Sequence, residues 1–185
     1  LRKLDLADSL ATRIPIDAVK KSAQMQSLLD SGKALQVIAQ FANEDIAKWP
    51  FWKRGDGYLI RGRAYAITKD AKQAESDLIF ALEWPGDPRT RDSILLATAQ
   101  NSENNFKNDE KAINTYRAIV EGRKNIGSAD EFTALQGIAR IQTRKGQFDE
   151  ALKTLERADP QNLKGVWKEN IQKSIDAVKE ARKSR

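Results

Sequence analysis

The sequence predicts an all-α protein made of antiparallel helical hairpins. Apolar residues recur three and four positions apart, which is the period of a helix, and the alternation typical of a strand is nowhere sustained. Five prolines and ten glycines are few for 185 residues, and they fall where helices should break. A composition of 40% hydrophobic and 31% charged residues is typical of a folded protein rather than a disordered one.

Three helices are expected in the N-terminal segment, residues 1–48. Their approximate bounds are 2–13, 16–29 and 33–47. Pro15 separates the first two, because the residue before a proline avoids helical geometry while a proline suits the first turn of a helix. The second and third helices could pair as a degenerate helical hairpin, with Ser22 and Ala34 as the small residues where they meet.

An aromatic-rich break at residues 49–55 precedes three hairpins, which occupy residues 56–161. Their six helices are expected at about 56–68, 71–83, 89–101, 108–122, 129–145 and 148–158. Residues 84–88, Trp-Pro-Gly-Asp-Pro, give the strongest turn signal, and a polar loop is expected between the third and fourth of these helices, from Asn101 to Asn105. Ser128 followed three residues later by Glu131 predicts a capping box at the start of the fifth.

Residues 162–185 are expected to form a C-terminal capping helix with a basic tail. Their apolar residues recur at helical spacing among many charges, so this helix should bury one side only. Of the net charge of +6, residues 160–185 contribute +4 and the other 159 residues only +2. Because the basic excess lies on the terminal helix instead of forming a stripe over the fold, nucleic acid is disfavoured as a partner.

Residues 146–160 carry the most informative pattern. Their small, aromatic and large residues resemble the second helix of a tetratricopeptide (TPR) repeat, with the matching positions at Gly146, Phe148, Ala151, Leu155, Ala158 and Pro160. Two upstream segments, around Ala74 and Ala112, repeat this skeleton. The spacings of 38 and 39 residues between the three alanines exceed the roughly 34 residues of the family repeat, and the loops absorb the excess. The resemblance covers about residues 55–165 and implies a right-handed α-solenoid of antiparallel hairpins.

Small residues at the contact between paired helices are the physical basis of this architecture. A small residue on each first helix should face one on the second, so that the helix axes can approach closely. The expected pairs are Gly62 with Ala74, Ala97 with Ala112 and Ala139 with Ala151. One hairpin cannot bury its apolar stripe alone, whereas several in series can.

The TPR resemblance also implies a partner-binding groove on the concave face, lined by the first helix of each hairpin. The implied positions are Leu59, Arg63, Ala66, Ile67, Arg91, Ile94, Thr98, Asn101, Thr133, Gln136, Arg140 and Arg144. Four arginines among them suggest an acidic or C-terminal peptide held through its carboxylates. The alternative is that these arginines lie on solvent-exposed helix faces and bind no partner. The carboxylate-clamp subgroup of the family is disfavoured, because Leu59, Arg63 and Gly137 depart from its pattern.

A second candidate surface is the aromatic cluster of Trp49, Phe51 and Trp52. Aromatic residues are enriched at interaction hot spots, so the cluster is a possible secondary patch for a partner. The alternative is that these rings fill the junction between the N-terminal helices and the first clear repeat.

The residue inventory predicts a protein without catalytic activity, cofactor or metal. The chain has no cysteine and no histidine, which removes thiolate chemistry, disulfides and the commonest general base and metal ligand. It also lacks a nucleophile elbow and a glycine-rich dinucleotide turn. We therefore expect a scaffold or adaptor that binds a partner peptide or protein, possibly acidic, through the concave face. The alternative is an assembly element that self-associates or docks through the aromatic break or the terminal helix.

Compartment and oligomeric state stay open on the sequence. No stretch reaches the roughly 18 apolar residues of a transmembrane helix, so no membrane span is expected. The chain begins at Leu1 without the core of a signal peptide, and a removed leader or anchor is compatible with it.

Overall fold

The computed structural model describes residues 2–86, 88–121, 127–161 and 163–184, with side chains from Ile16 onward except that of Pro88. Within these ranges the regular elements are helices and no residue lies in a strand, which confirms the predicted all-α class. The helices are α1 (Arg2–Asp30), α2 (Ala34–Phe41), α3 (Phe51–Ile67), α4 (Ala71–Glu83), α5 (Pro88–Asn104), α6 (Asp109–Val120), α7 (Ala129–Arg144), α8 (Phe148–Glu156) and α9 (Gly165–Lys183). A short 3-10 helix, Ile46–Lys48, lies between α2 and α3. Residue 87 of the predicted turn, residue 122 of the predicted fourth hairpin helix, and residues 162 and 185 of the predicted cap lie outside the described ranges.

The N-terminal helices differ from the prediction. The break expected before Pro15 is wrong, because α1 runs without interruption from Arg2 to Asp30. A proline inside a helix removes one backbone hydrogen bond, at about 3 kcal/mol, but the neighbouring turns keep theirs and the helix continues. The next helix is shorter than expected, since α2 ends at Phe41 and the 3-10 turn follows.

Two further boundaries were wrong. The expected aromatic break at 49–55 shrinks to two residues, because α3 begins at Phe51 directly after Pro50. The polar loop expected from Asn101 to Asn105 is mostly helix, since α5 continues to Asn104. The reason is tertiary: Asn101, Ser102 and Glu103 are buried, so they are polar residues of a packed helix rather than of a surface loop.

Side-chain caps set the starts of three helices. The side chain of Asp70 accepts a hydrogen bond from the backbone N–H of Gln73, and Asn108 does the same for Lys111. At α7 the predicted capping box is confirmed, because Ser128 Oγ accepts from Glu131 N at 3.2 Å while Glu131 Oε2 accepts from Ser128 N at 2.8 Å.

The chain divides into two compact units, residues 1–97 and 98–185, with the boundary inside α5. In the first unit α3 is the central helix and packs against α1, α2 and α4. Its core includes fully buried side chains from α1, α2, the 3-10 turn and α4, namely Met25, Val37, Ile46 and Leu78.

Close helix contact in the first unit depends on Gly62. A Cβ placed there would lie 3.1 Å from Leu78 Cγ and 3.3 Å from the carbonyl oxygen of Ala74. Ala74 is itself fully buried. A larger residue at position 62 would therefore force α3 and α4 apart.

In the second unit α7 is the central helix and packs against α6, α8 and α9, while α8 also packs against α9. The small residues Ala112, Ala139 and Ala151 are all buried there. Larger buried side chains surround them, including Tyr116, Leu135, Ile141, Leu155 and Ile171. Phe132 of α7 stacks on Trp167 of α9, with ring centroids 5.1 Å apart.

Candidate functional site

The groove residues predicted in the first unit differ in accessibility. Leu59 and Ile94 are buried, so their side chains pack within the unit. Arg63 is half-buried, and its Nη2 donates to the carbonyl oxygen of Ser93 at 3.4 Å. Ile67 and Arg91 are exposed. The exposed members and the partly accessible Arg63 present the most surface to a partner.

An open cavity of about 380 Å³ lies between α1 and α3. Its walls come equally from the two helices, with Val19, Ser22, Ala23 and Gln26 from α1 and Lys53, Asp56, Leu59 and Ile60 from α3. The two charged side chains at its rim pair with each other, Lys53 Nζ to Asp56 Oδ2 at 2.6 Å. Four of the eight lining residues are apolar, namely Val19, Ala23, Leu59 and Ile60, and the two charged ones neutralise each other.

The stripe of α3 that borders this cavity continues along the helix. Trp52, Asp56, Leu59 and Arg63 follow at intervals of four, three and four residues, which places them on one side of α3. Trp52 is 47% exposed at one end of this stripe. The first unit thus offers a surface with an apolar hollow and an exposed indole beside it.

The predicted aromatic cluster is not a single patch. Trp49 is buried, and its ring packs so closely on Gly57 that a Cβ there would lie 2.6 Å from the ring. Its Nε1 donates to Glu44 Oε1 at 3.0 Å. Phe51 and Trp52 are exposed and lie about 100° apart around α3. The interpretation as core filler therefore holds for Trp49, while the other two rings face solvent on different sides.

Arg61 and Asp77 form a buried ion pair that no sequence motif indicates. Arg61 Nε donates to Asp77 Oδ2 at 2.7 Å and Nη2 donates to Oδ1 at 2.9 Å. Arg61 Nη1 donates to three carbonyl oxygens at and just after the C-terminal end of α2, those of Phe41, Ala42 and Glu44. One guanidinium therefore joins α3 to α4 and caps the C-terminal end of α2.

A larger cavity, of about 590 Å³, lies beside α1 and the 3-10 turn, with Ile16, Ala18 and Trp49 among its lining residues. The three carboxylates and Lys48 of its lining form ion pairs within the chain, and Lys20 is a further charged residue of the lining. Lys21 Nζ contacts Asp17 at 3.0 Å and Glu44 at 2.9 Å, and Lys48 pairs with Asp45. Burial alone would raise the pKa of Glu44, but its hydrogen bonds from Trp49 and Lys21 leave that pKa below the ordinary value. These pairs engage the carboxylates of the cavity with lysines of the same chain.

The groove residues predicted in the second unit are mostly engaged with their own chain. Asn101 is buried, and its Oδ1 accepts a hydrogen bond from Asn105. Gln136 Nε2 donates to Ser174 Oγ at 2.9 Å and to the carbonyl oxygen of Asn170 at 3.2 Å, which ties α7 to α9. Thr98 is half-buried, and Thr133 Oγ1 donates back to the carbonyl oxygen of Ala129.

Arg140 and Arg144 both contact Glu103, a residue of the predicted polar loop. Arg140 Nε donates to Glu103 Oε1 at 2.8 Å, and Arg140 Nη2 donates to Oε2 at 2.7 Å. The Tyr116 hydroxyl donates to Oε2 at 3.0 Å. Arg144 lies 3.5 Å from Oε1 and also pairs with Asp109. Two carboxylates thus neutralise two arginines, and the cluster has no net charge.

The electrostatics of this cluster favour its ionised pair. Burial alone would raise the pKa of Glu103, but the hydrogen bonds and charge of Arg140 outweigh burial and hold that pKa below its ordinary value. Hydrogen bonding to Glu103 raises the pKa of Arg140. Burial, followed by the Glu103 charge, raises the pKa of Tyr116, so the phenol stays protonated and donates. The cluster holds α5, α6 and α7 of the second unit together.

Two kinds of site are absent from the described part of the chain. No group of acidic residues there could hold a metal ion. None of the helices described is both long enough and apolar enough to cross a membrane.

Comparisons with protein-family models, with curated proteins and with solved structures found no match. The TPR resemblance therefore stays a prediction from residues 146–160 and their upstream counterparts.

Proposed function

We propose that this protein is a non-enzymatic helical-repeat scaffold of the TPR type, which binds a partner peptide or protein on the face formed by the first helices of its hairpins. Within the first unit, the packing of α3 on both α1 and α4, with Gly62 against Ala74, supports hairpins that pair and stack. Within the second unit, the packing of α7 on α8 and α9 supports the same arrangement.

The observation that carries the proposal is the cavity between α1 and α3 of the first unit. Its apolar walls from Val19, Ala23 and Leu59 can receive a large apolar side chain of a partner. Exposed Trp52 and Ile67 extend the surface along α3. A central apolar pocket flanked by an aromatic ring is the arrangement in which a few side chains supply most of the binding energy.

The charge distribution favours an apolar anchor over a carboxylate. Lys53 and Asp56, which both line the cavity, form an ion pair and neutralise each other. In the second unit, Arg140 and Arg144 already hold Glu103 and Asp109. The acidic partner predicted from the sequence would have to compete with these internal carboxylates. We therefore assign the apolar face of the first unit as the partner surface.

Site-specific photo-crosslinking tests the assignment. A photoreactive phenylalanine analogue at Ala23 or at Ile67, both exposed, should capture the same partner from the native host extract. The same analogue at Lys72, on the solvent side of α4, serves as the control and should not. If Lys72 captured that partner equally well, or if neither of the other two sites captured it, the assigned face would be wrong.

A second measurement uses the purified partner. Ala23→Arg should fill the cavity and weaken binding at least about tenfold, since each tenfold corresponds to about 1.4 kcal/mol. Ala118→Arg, the same replacement at an exposed alanine of α6, is the matched control. Circular dichroism should show unchanged helicity for both variants, so that a loss of binding can be attributed to the surface.

The second candidate function, assembly through the aromatic residues, is favoured by one observation. Phe51 and Trp52 are 67% and 47% exposed, although large aromatic side chains are usually covered. Light scattering on the purified chain separates the two functions. A stable dimer that is lost in Trp52→Ala would support assembly, and a monomer at high concentration would contradict it.

A further inference from the structure

Three partly exposed aromatic side chains and one arginine form a second surface of the first unit, on the α3–α4 side, with the buried Tyr58 ring packed against it. The Tyr58 and Phe80 rings stack with centroids 5.3 Å apart. The Arg54 guanidinium lies over the Trp84 ring, 4.8 Å from its centroid. Phe51, Arg54 and Tyr58 follow at intervals of three and four on α3, and therefore lie on one side of it. We call Phe51, Tyr58, Phe80 and Trp84 the aromatic strip.

The strip is continuous past the end of α4. A Cβ at Gly55 would meet the carbonyl oxygen of Trp84, so this turn of α3 lies against the C-terminal end of α4. Phe51 is one turn earlier on the same side of α3, which places it beyond Trp84. Phe51, Phe80 and Trp84 are 67%, 43% and 39% exposed. Helix packing inside the unit therefore leaves these rings partly uncovered.

The area of the strip fits a short segment of a partner rather than a second copy of the chain. Aromatic side chains expose about 150–250 Å² when free, so three rings near half exposure leave on the order of 300 Å². A standard protein interface needs about 800 Å² from each partner. The strip alone thus falls well short of a stable dimer interface.

The charge and the hydrogen-bond donors of the strip further restrict the class of partner that it could bind. Arg54 already covers one face of Trp84, which disfavours a cationic ligand on that ring. The Trp84 side chain is 39% exposed, and its indole can donate one hydrogen bond. A docked α-helix has its carbonyl groups already bonded, whereas a polyproline II segment has no internal hydrogen bonds and needs donors for them. Surfaces lined by aromatic rings are the ones that proline-rich segments recognise.

We propose that the aromatic strip docks a proline-rich segment of a partner protein in the polyproline II conformation. This goes beyond the function proposed above, because the strip lies between α3 and α4 and not between α1 and α3. The proline rings would pack on Phe51, Phe80 and Trp84, and the Trp84 indole would donate to a peptide carbonyl. Arg54 would keep that indole in place by stacking on it.

Titration with an amidated decaproline peptide tests the proposal on the full chain. In proton–nitrogen correlation NMR spectra, the indole N–H signals of the four tryptophans can be assigned by single Trp→Phe variants. The Trp84 indole signal should shift saturably with peptide, and those of Trp52 and Trp167 should stay in place. A glycine–serine peptide of equal length is the control ligand, since it is flexible and lacks proline rings.

Matched variants test which rings bind. Phe80→Ala should weaken decaproline binding at least about tenfold, as expected for a hot-spot ring. Phe106→Ala replaces a phenylalanine of similar exposure, 39%, in the second unit and should leave affinity unchanged. Because both rings are partly exposed, urea unfolding should confirm that both variants stay folded at the titration temperature.

Three results would overturn the proposal. The first is no saturable shift of the Trp84 indole at millimolar decaproline. The second is equal loss of affinity in Phe80→Ala and Phe106→Ala. The third is a dimer in light scattering that dissociates on Phe80→Ala, which would assign the strip to a second copy of the chain. None of these results bears on crosslinking from Ala23, so the two proposals can fail separately.

Discussion

Replacing Glu103 by alanine removes the acceptor that Arg140 and Tyr116 share in the second unit. The Glu103 side chain is only 2% exposed and takes part in three hydrogen bonds of 2.7–3.0 Å. Removing one partner of a buried ion pair costs about 3–5 kcal/mol. Arg140 keeps 54% of its side chain exposed and can be rehydrated, so we expect the lower value, about 3 kcal/mol. For a chain of this size that lowers Tm by about 6–12 °C.

Thermal and urea unfolding followed by circular dichroism measure this loss. Arg182→Ala is the matched control, because its pair with Asp149 is exposed on both sides and should contribute at most about 1 kcal/mol. Tyr116→Phe combined with Glu103→Ala completes a double-mutant cycle, whose coupling energy should be about 1 kcal/mol or more. A Glu103→Ala shift no larger than that of Arg182→Ala would refute the structural role of this carboxylate.

Three further predictions concern stability. Burial alone would raise the pKa of Glu103, but Arg140 holds that pKa below the ordinary value. The contribution of Glu103 to the unfolding free energy is therefore complete above the unfolded pKa of about 4.3 and is lost as pH falls through the folded pKa. The difference in unfolding free energy between wild type and Glu103→Gln should therefore shrink from about pH 6 to about pH 3 in urea titrations. Gly137→Ala places a Cβ 2.5 Å from the Tyr116 ring and should cost about 1–3 kcal/mol, whereas Gly127→Ala meets open space and should cost nothing measurable by the same titration. Arg61→Ala should cost about 3–5 kcal/mol in urea unfolding, and Arg61→Lys should recover less than half, because an ammonium cannot reproduce the bidentate pair; full recovery by lysine would contradict this.

The parts of the fold that follow from local chemistry could be predicted from the sequence. The capping box of Ser128 and Glu131 involves residues three apart, and the helical period of the apolar residues is equally local. The break at Pro15 could not be decided in this way. A proline lowers the stability of a helix interior by a few kcal/mol, and that penalty is smaller than what a long helix can gain from packing.

The candidate site was harder to predict because its contacts span long distances along the chain. Glu103 is 37 residues from Arg140, and it lies in a run of Asn and Ser that is typical of a loop. In the structure that run is part of α5, and its buried Glu103 is paired with Arg140. Likewise, the neighbouring sequence does not indicate that Trp49 is buried while Phe51 and Trp52 are exposed. The difference depends on Gly57, where the absence of a side chain leaves room for the Trp49 ring.

The arginines that suggested an acidic ligand lead to the opposite inference once their partners are known. A partner carboxylate that bound Arg140 bidentately through Nε and Nη2 would have to displace Glu103, and would leave that buried carboxylate without its cation. A penalty of about 3 kcal/mol corresponds to a loss of roughly a hundredfold in affinity. The same carboxylate at an exposed arginine would gain at most about 1 kcal/mol, because surface ion pairs are screened by solvent. Carboxylate recognition in the second unit is therefore a poor source of affinity, and the apolar surfaces of the first unit are the stronger candidates for selecting a partner.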